Sequence, residues 1–166
     1  MKITIRNIAK VKKAEIELKG ITVIAGENNT GKSTVGKVLY AVFNSFAYSD
    51  KKIRKERTDS VKRTIISILD TPFYDEEDIE STAGNIVKNM SVYTEDKEAL
   101  KGYLEESLED ELIDEAEKDD SIAELLEKIG KILQISDEEV FRSVLSKRLN
   151  SEFDYQINNI HHKDNG

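Results

Sequence analysis

The sequence predicts an α/β protein: short N-terminal β-strands, a glycine-rich loop and a helix, followed by a mainly helical region. Three observations carry this prediction. Lys2–Asn7 alternates apolar and polar residues around Ile3 and Ile5, as a half-buried strand does. Ile21-Thr22-Val23-Ile24-Ala25 is a short β-branched run between glycines, the pattern of a buried central strand. From about residue 50 onward, apolar residues recur at helical spacing with charged residues between them.

The elements follow in order. Ala14–Leu18 alternates again, and Lys19-Gly20 supplies a turn. After the glycine-rich loop, Ser33–Phe46 places Val35, Val38, Leu39, Ala41, Val42 and Phe46 on a helical face. Val61, Ile65, Ile68 and Leu69 form a stripe on a further helix, which Pro72 helps to end. Ile79–Tyr93 is ambiguous, with weak periodicity and Gly84 inside it. Between Ala99 and Leu133 come Leu100, Leu104, Leu108, Leu112, Ala116, Leu125, Ile129 and Ile132 on an otherwise acidic background. Ser136-Asp137-Glu138-Glu139 reads as a capping box, starting a helix that runs to about Leu149.

The end of the chain has its own pattern. Phe153–Ile160 alternates like a strand, and Asp164-Asn165-Gly166 suits a tight hairpin turn. A strand placed before a turn with no return raises two alternatives, a piece of a longer polypeptide or a frayed tail. The expected organisation is a nucleotide-binding lobe at 1–50, a helical insertion or arm at 51–150, and a truncated strand returning to the head at 151–166.

Composition narrows the class. The chain has 166 residues, of which 35% are charged, so its helices should be well exposed. The net charge of −8 is unevenly distributed. Residues 1–70 carry 15 Lys and Arg against 7 Asp and Glu, whereas residues 71–166 carry 10 against 26. The basic half favours an anionic ligand, and the acidic half is a poor nucleic-acid surface. No cysteine is present, which excludes disulfides and thiolate metal sites. No run of 18 apolar residues occurs and the N-terminus has no signal-peptide core, so a cytoplasmic protein without membrane contact is expected.

The strongest motif is Gly26-Glu27-Asn28-Asn29-Thr30-Gly31-Lys32-Ser33, which matches the Walker A pattern. Glycines let the backbone turn tightly and approach phosphate without a Cβ in the way. Backbone N–H groups from about Asn28 to Ser33 would form an anion nest, with the next helix's N-terminus adding partial positive charge. Lys32 would bridge the β- and γ-phosphates, Ser33 would coordinate Mg²⁺, and Thr34 would reach the α-phosphate. The ligand expected from Gly26, Asn28, Asn29, Thr30, Gly31, Lys32, Ser33 and Thr34 is therefore ATP with Mg²⁺.

On these residues, Met1–Phe46 resembles the N-terminal lobe of ABC-type ATPases of the SMC, RecF and overcoming-lysogenization-defect kind. Many bacterial proteins of this kind are labelled AAA-family ATPases and belong to anti-phage systems. The resemblance implies a P-loop NTPase first lobe and a head-to-tail homodimer, with an effector such as a nuclease as a further partner. It also implies that Arg6, Asn7 and Lys10 approach the adenine or ribose, and that a glutamine senses metal and γ-phosphate. Gln156 is the better of two candidates for that glutamine, although an ordinary exposed strand residue explains it too.

Other family elements are missing. Ile65–Asp70 could imitate a Walker B strand, but it continues the helical period of Val61. Ser143–Arg148 lacks the glycines of a signature loop. No catalytic residue is identified, so binding is expected and hydrolysis would need elements supplied elsewhere. Two alternatives stay open: a complete small P-loop kinase with Arg54, Arg57 and Arg63 in a lid, and a nucleotide-gated interaction module. Nucleic acid stays open as a partner through Lys51–Arg57, which also reads as a solvated helix face. His161-His162 reads as a surface pair, and the carboxylates between Glu95 and Glu127 as a solvated face rather than a metal site.

Overall fold

The computed structural model describes residues 1–69, 75–90, 96–108 and 118–157. Among these it contains one antiparallel hairpin, β1 (Lys2–Ile8) and β2 (Val11–Glu17). Six helices follow: α1 (Lys32–Phe46), α2 (Ser49–Leu69), α3 (Glu76–Met90), α4 (Lys97–Ser107), α5 (Lys118–Gln134) and α6 (Asp137–Glu152).

This architecture corrects the predicted fold class. The protein is mainly helical, with a two-stranded antiparallel sheet rather than the parallel-sheet first lobe of a P-loop NTPase. The expected central strand at Ile21–Ala25 joins no ladder, and Ile21 and Val23 are 94% and 81% exposed. β-Branched residues favour extended backbone, but a strand also needs neighbours to satisfy its N–H and C=O groups. Here β1 and β2 use each other for that purpose.

The chain divides into two compact units, Met1–Lys52 with Phe141–Gly166, and Ile53–Val140. In the first unit, the hairpin register pairs Ile3 with Ile16 and Ile5 with Ala14, while Lys2, Thr4 and Arg6 face Glu17, Glu15 and Lys13. The apolar face packs with Val35 and Val38 of α1 and with Phe153. The C-terminal part of α6 grips α1. The Arg148 guanidinium lies over the Tyr40 ring and donates to its hydroxyl at 3.1 Å, and Lys37 Nζ donates to the Glu152 carbonyl at 2.7 Å. Phe46 and Phe141 rings meet at 5.0 Å.

The second unit is a helical core. Val61, Ile65 and Leu69 of α2 join Ile79, Ala83, Ile86 and Met90 of α3, with Leu100, Leu104 and Leu108 from α4 and its end. Ile122, Leu125 and Ile129 of α5 complete it. The helical spacing seen in the sequence accounts for the faces of α2, α4 and α5, while Pro72, Leu112 and Ala116 lie outside the described residues. Of the Walker B decoy Ile65–Asp70, Ile65–Leu69 is helix and packs in this core, and Asp70 lies outside the described residues. Ile79–Met90, ambiguous in sequence, is also helix, and its acidic first turn of Glu76, Glu77 and Asp78 suits the helix dipole.

Arg57 joins three elements of this unit. It donates to the carbonyls of Ile132 at 3.0 Å, Leu133 at 3.3 Å and Ile135 at 2.5 Å, and to Asp137 Oδ1 at 2.7 Å. A single guanidinium thus caps the end of α5 and holds the start of α6. The Ser136 capping box forms as expected, with Glu139 N–H donating to Ser136 Oγ at 3.2 Å and Ser136 N–H to Glu139 Oε2 at 3.3 Å.

The expected strand from Phe153 begins instead as a turn over Phe153–Tyr155. Its remainder at 158–160, the pair His161-His162 and the Asp164–Gly166 turn lie outside the described residues. Among the described residues, no helix is long and apolar enough to cross a membrane.

Candidate phosphate-binding loop

The loop from Gly26 to Gly31 runs directly into α1. Asn29 and Gly31 take left-handed backbone conformations, with φ of 69° and 92°. Asn tolerates that region better than other residues with a side chain, and glycine has no penalty there. Gly31 is the N-cap of α1, and its carbonyl accepts the Val35 N–H at 3.0 Å. Thr30 Oγ1 donates to the Glu27 carbonyl at 2.9 Å and tightens the loop.

Lys32 folds back over this loop. Its Nζ donates to the Gly26 carbonyl at 2.6 Å and also to the Glu27 carbonyl. The ammonium is therefore held across the loop's mouth, next to its backbone, rather than extended into solvent. Gly26 through Thr30 and Ser33 are exposed, and Thr34 is half-buried in the first turn of α1. Of the eight predicted phosphate-binding residues, all lie on this one continuous loop and first helical turn.

The start of α1 differs from the other helices. No side chain caps it, and its first turn holds no acidic residue. The first turns of α2 to α6 each carry at least one Asp or Glu. Orphan N–H groups and the dipole at a helix start attract negative charge. Five helices supply that charge from their own sequence, and α1 does not. The surrounding unit is also basic, with 14 Lys and Arg against 7 Asp and Glu, whereas the other unit has 11 against 26.

The resemblance-derived candidates fare unequally. Lys10, at the β1–β2 turn, donates through Nζ to Asn29 Oδ1 and so touches the loop. Arg6 is exposed on the outer hairpin face opposite Lys13. Asn7 is an exposed positive-φ residue near the end of β1. Gln156 is exposed in the turn after α6, where its N–H donates to the Phe153 carbonyl at 2.8 Å. No hydrogen bond joins it to Ser33 among the described residues.

Sequence reasoning missed Val11. Its Cγ2 sits 2.8 Å from where a Cβ on Gly31 would lie, so the hairpin turn packs directly against the loop. Nothing in the spacing of residues 11 and 31 could reveal this contact. Of the arginines considered for a kinase lid, Arg57 is committed to α5 and α6, and Arg63 donates to Ser60 Oγ at 3.0 Å. No cluster of three or more His, Cys, Asp or Glu suited to a metal occurs among the described residues.

No protein-family model, curated protein or solved structure matches this chain.

Proposed function

We propose that the loop Gly26–Ser33 and the first turn of α1 bind the phosphate chain of a nucleoside triphosphate, ATP with Mg²⁺. The observation that carries this is the loop's conjunction with α1. Lys32 lies across a left-handed, exposed loop at the start of the one described helix that brings no acidic residue to its own N-terminus. The backbone N–H groups of Asn28 to Thr34 would face the phosphates. Lys32 would leave its two carbonyl partners for the β- and γ-phosphates, a charge-assisted exchange. The Ser33 hydroxyl would ligate Mg²⁺, and Thr34 would reach the α-phosphate.

The resemblance of Met1–Phe46 to ABC and SMC-like ATPases supports ATP as the nucleotide, through the motif and not through the fold. The proposal is of binding. Hydrolysis would require a water-activating carboxylate, and no residue of this chain is assigned that role. Titration of a fluorescent ATP analogue with Mg²⁺ tests the proposal. Lys32→Ala is expected to weaken binding by about 10- to 100-fold, the usual worth of a charged hydrogen bond. Equal affinity in the variant and the wild type would overturn it.

A further inference from the structure

We infer that Lys10, carried by the β1–β2 turn, reads the outermost phosphate of the nucleotide and so separates triphosphate from diphosphate. This rests on the phosphate-binding reading of the loop. Lys10 of the turn and Val11, the first residue of β2, both reach the loop. Val11 packs against Gly31, and the Lys10 ammonium donates to the side chain of Asn29.

The turn that presents them is built at a conformational cost. Asn7 and Ala9, neither a glycine, have φ of 54° and 44°. Left-handed backbone is unfavourable for alanine in particular and persists where surrounding contacts enforce it, often at functional positions. Those contacts are present. The Ala9 N–H donates to the Ile157 carbonyl at 3.0 Å, and Ile8 pairs with Val11 across the hairpin. Ile8, Ala9 and Ile157 pack into the apolar cluster of this unit. Lys10 therefore extends from an anchored turn, and its position relative to the loop is set by the hairpin.

Its partner on the loop is a neutral amide rather than a carboxylate. The other ammonium on the loop, Lys32, is hydrogen-bonded to Gly26 and Glu27 on the same strand of chain as the helix it starts. That lysine and the backbone N–H groups would meet the phosphate chain from the helix side, the γ-phosphate included. Lys10 reaches the loop from outside it, and the charge it gains most from meeting is the terminal phosphate, the most highly charged part of the chain. The two carboxylates of β2, Glu15 and Glu17, lie toward the end of the hairpin away from this turn and are paired with Lys2, Lys13 and Lys19.

Affinities of fluorescent ATP and ADP analogues, with Mg²⁺, test this on the full chain. Lys10→Met is expected to weaken the triphosphate about tenfold and leave the diphosphate within about twofold, since one charge-assisted contact is lost from only one ligand. Lys10→Arg is expected to restore the wild-type ratio. Equal weakening of both ligands by Lys10→Met, or no change in either, would overturn the inference. A wild-type chain that binds neither analogue overturns the phosphate-binding reading itself, whereas wild-type binding with an unmoved ratio overturns the role of Lys10 alone.

Discussion

Gly31 and Val11 are in such close contact that a side chain at position 31 has no room: a Cβ there would approach Val11 Cγ2 to 2.8 Å. Gly31 also has φ of 92°, which adds backbone strain for any other residue. Gly31→Ala is expected to destabilise the protein by about 1–3 kcal/mol, from overpacking and strain together. Denaturant unfolding measures it. Val11→Ala removes the blocking methyl groups, so the double variant should lose less stability than the two single losses added. Strict additivity would show that the contact is not what excludes the side chain.

Val23 offers a direct test of the corrected fold. A central strand would bury it, and Val23→Ser would then cost about 2 kcal/mol or more. At 81% exposure the same change is expected to fall within about 0.5 kcal/mol of neutral. Leu104→Ala, at a fully buried position in the helical unit, should cost about 2–5 kcal/mol in the same assay. Similar losses at both positions would contradict the architecture.

Arg57→Ala should lower thermal stability by about 2 kcal/mol, because three carbonyls at the end of α5 lose a charged donor. Arg57→Lys should recover little of it, since a lysine cannot reproduce a planar fork. Asp137→Ala should cost much less, under about 1 kcal/mol, as that carboxylate is 77% exposed and solvent screens the pair. An Asp137 effect as large as Arg57's would place the energy in the ion pair rather than in the cap.

Ser136→Ala removes one half of the capping box and should cost about 1 kcal/mol, read from urea unfolding. Glu139→Ala should cost less, since it leaves the Ser136 hydroxyl on the Glu139 backbone N–H. The reverse order would mean that the carboxylate dominates the cap.

Ser33→Ala bears on the metal. If its hydroxyl ligates Mg²⁺ beside the phosphates, the variant should bind an ATP analogue with nearly the same affinity with and without Mg²⁺. Wild-type affinity should rise when Mg²⁺ is added. A Mg²⁺ response retained in full by Ser33→Ala would remove the serine from the metal site.

Much of this molecule can be read from its sequence alone. The phosphate-loop motif, the α1 face of Val35 and Val38, the capping box at Ser136 and the stripe from Val61 to Leu69 all depend on residues a few positions apart. Their physics is local: φ preferences, side-chain period and neighbouring hydrogen bonds settle them before any distant segment arrives. Ile21–Ala25 shows where this stops. Its composition specifies extended backbone, but whether an extended segment becomes a buried strand depends on which other strands lie beside it, and among the described residues β1 and β2 pair only with each other. The contacts of Lys10 and Val11 with residues 29 and 31, and of Arg57 with the end of α5, belong to the same class. Each joins residues well separated along the chain, and no periodicity links them. The sequence alone determined the loop, its helix and the helical faces, since short-range forces govern those. Only the tertiary structure decided that the hairpin turn walls the loop, that the apolar run before it stays exposed, and that Arg57 is a clamp, because those outcomes depend on three-dimensional packing.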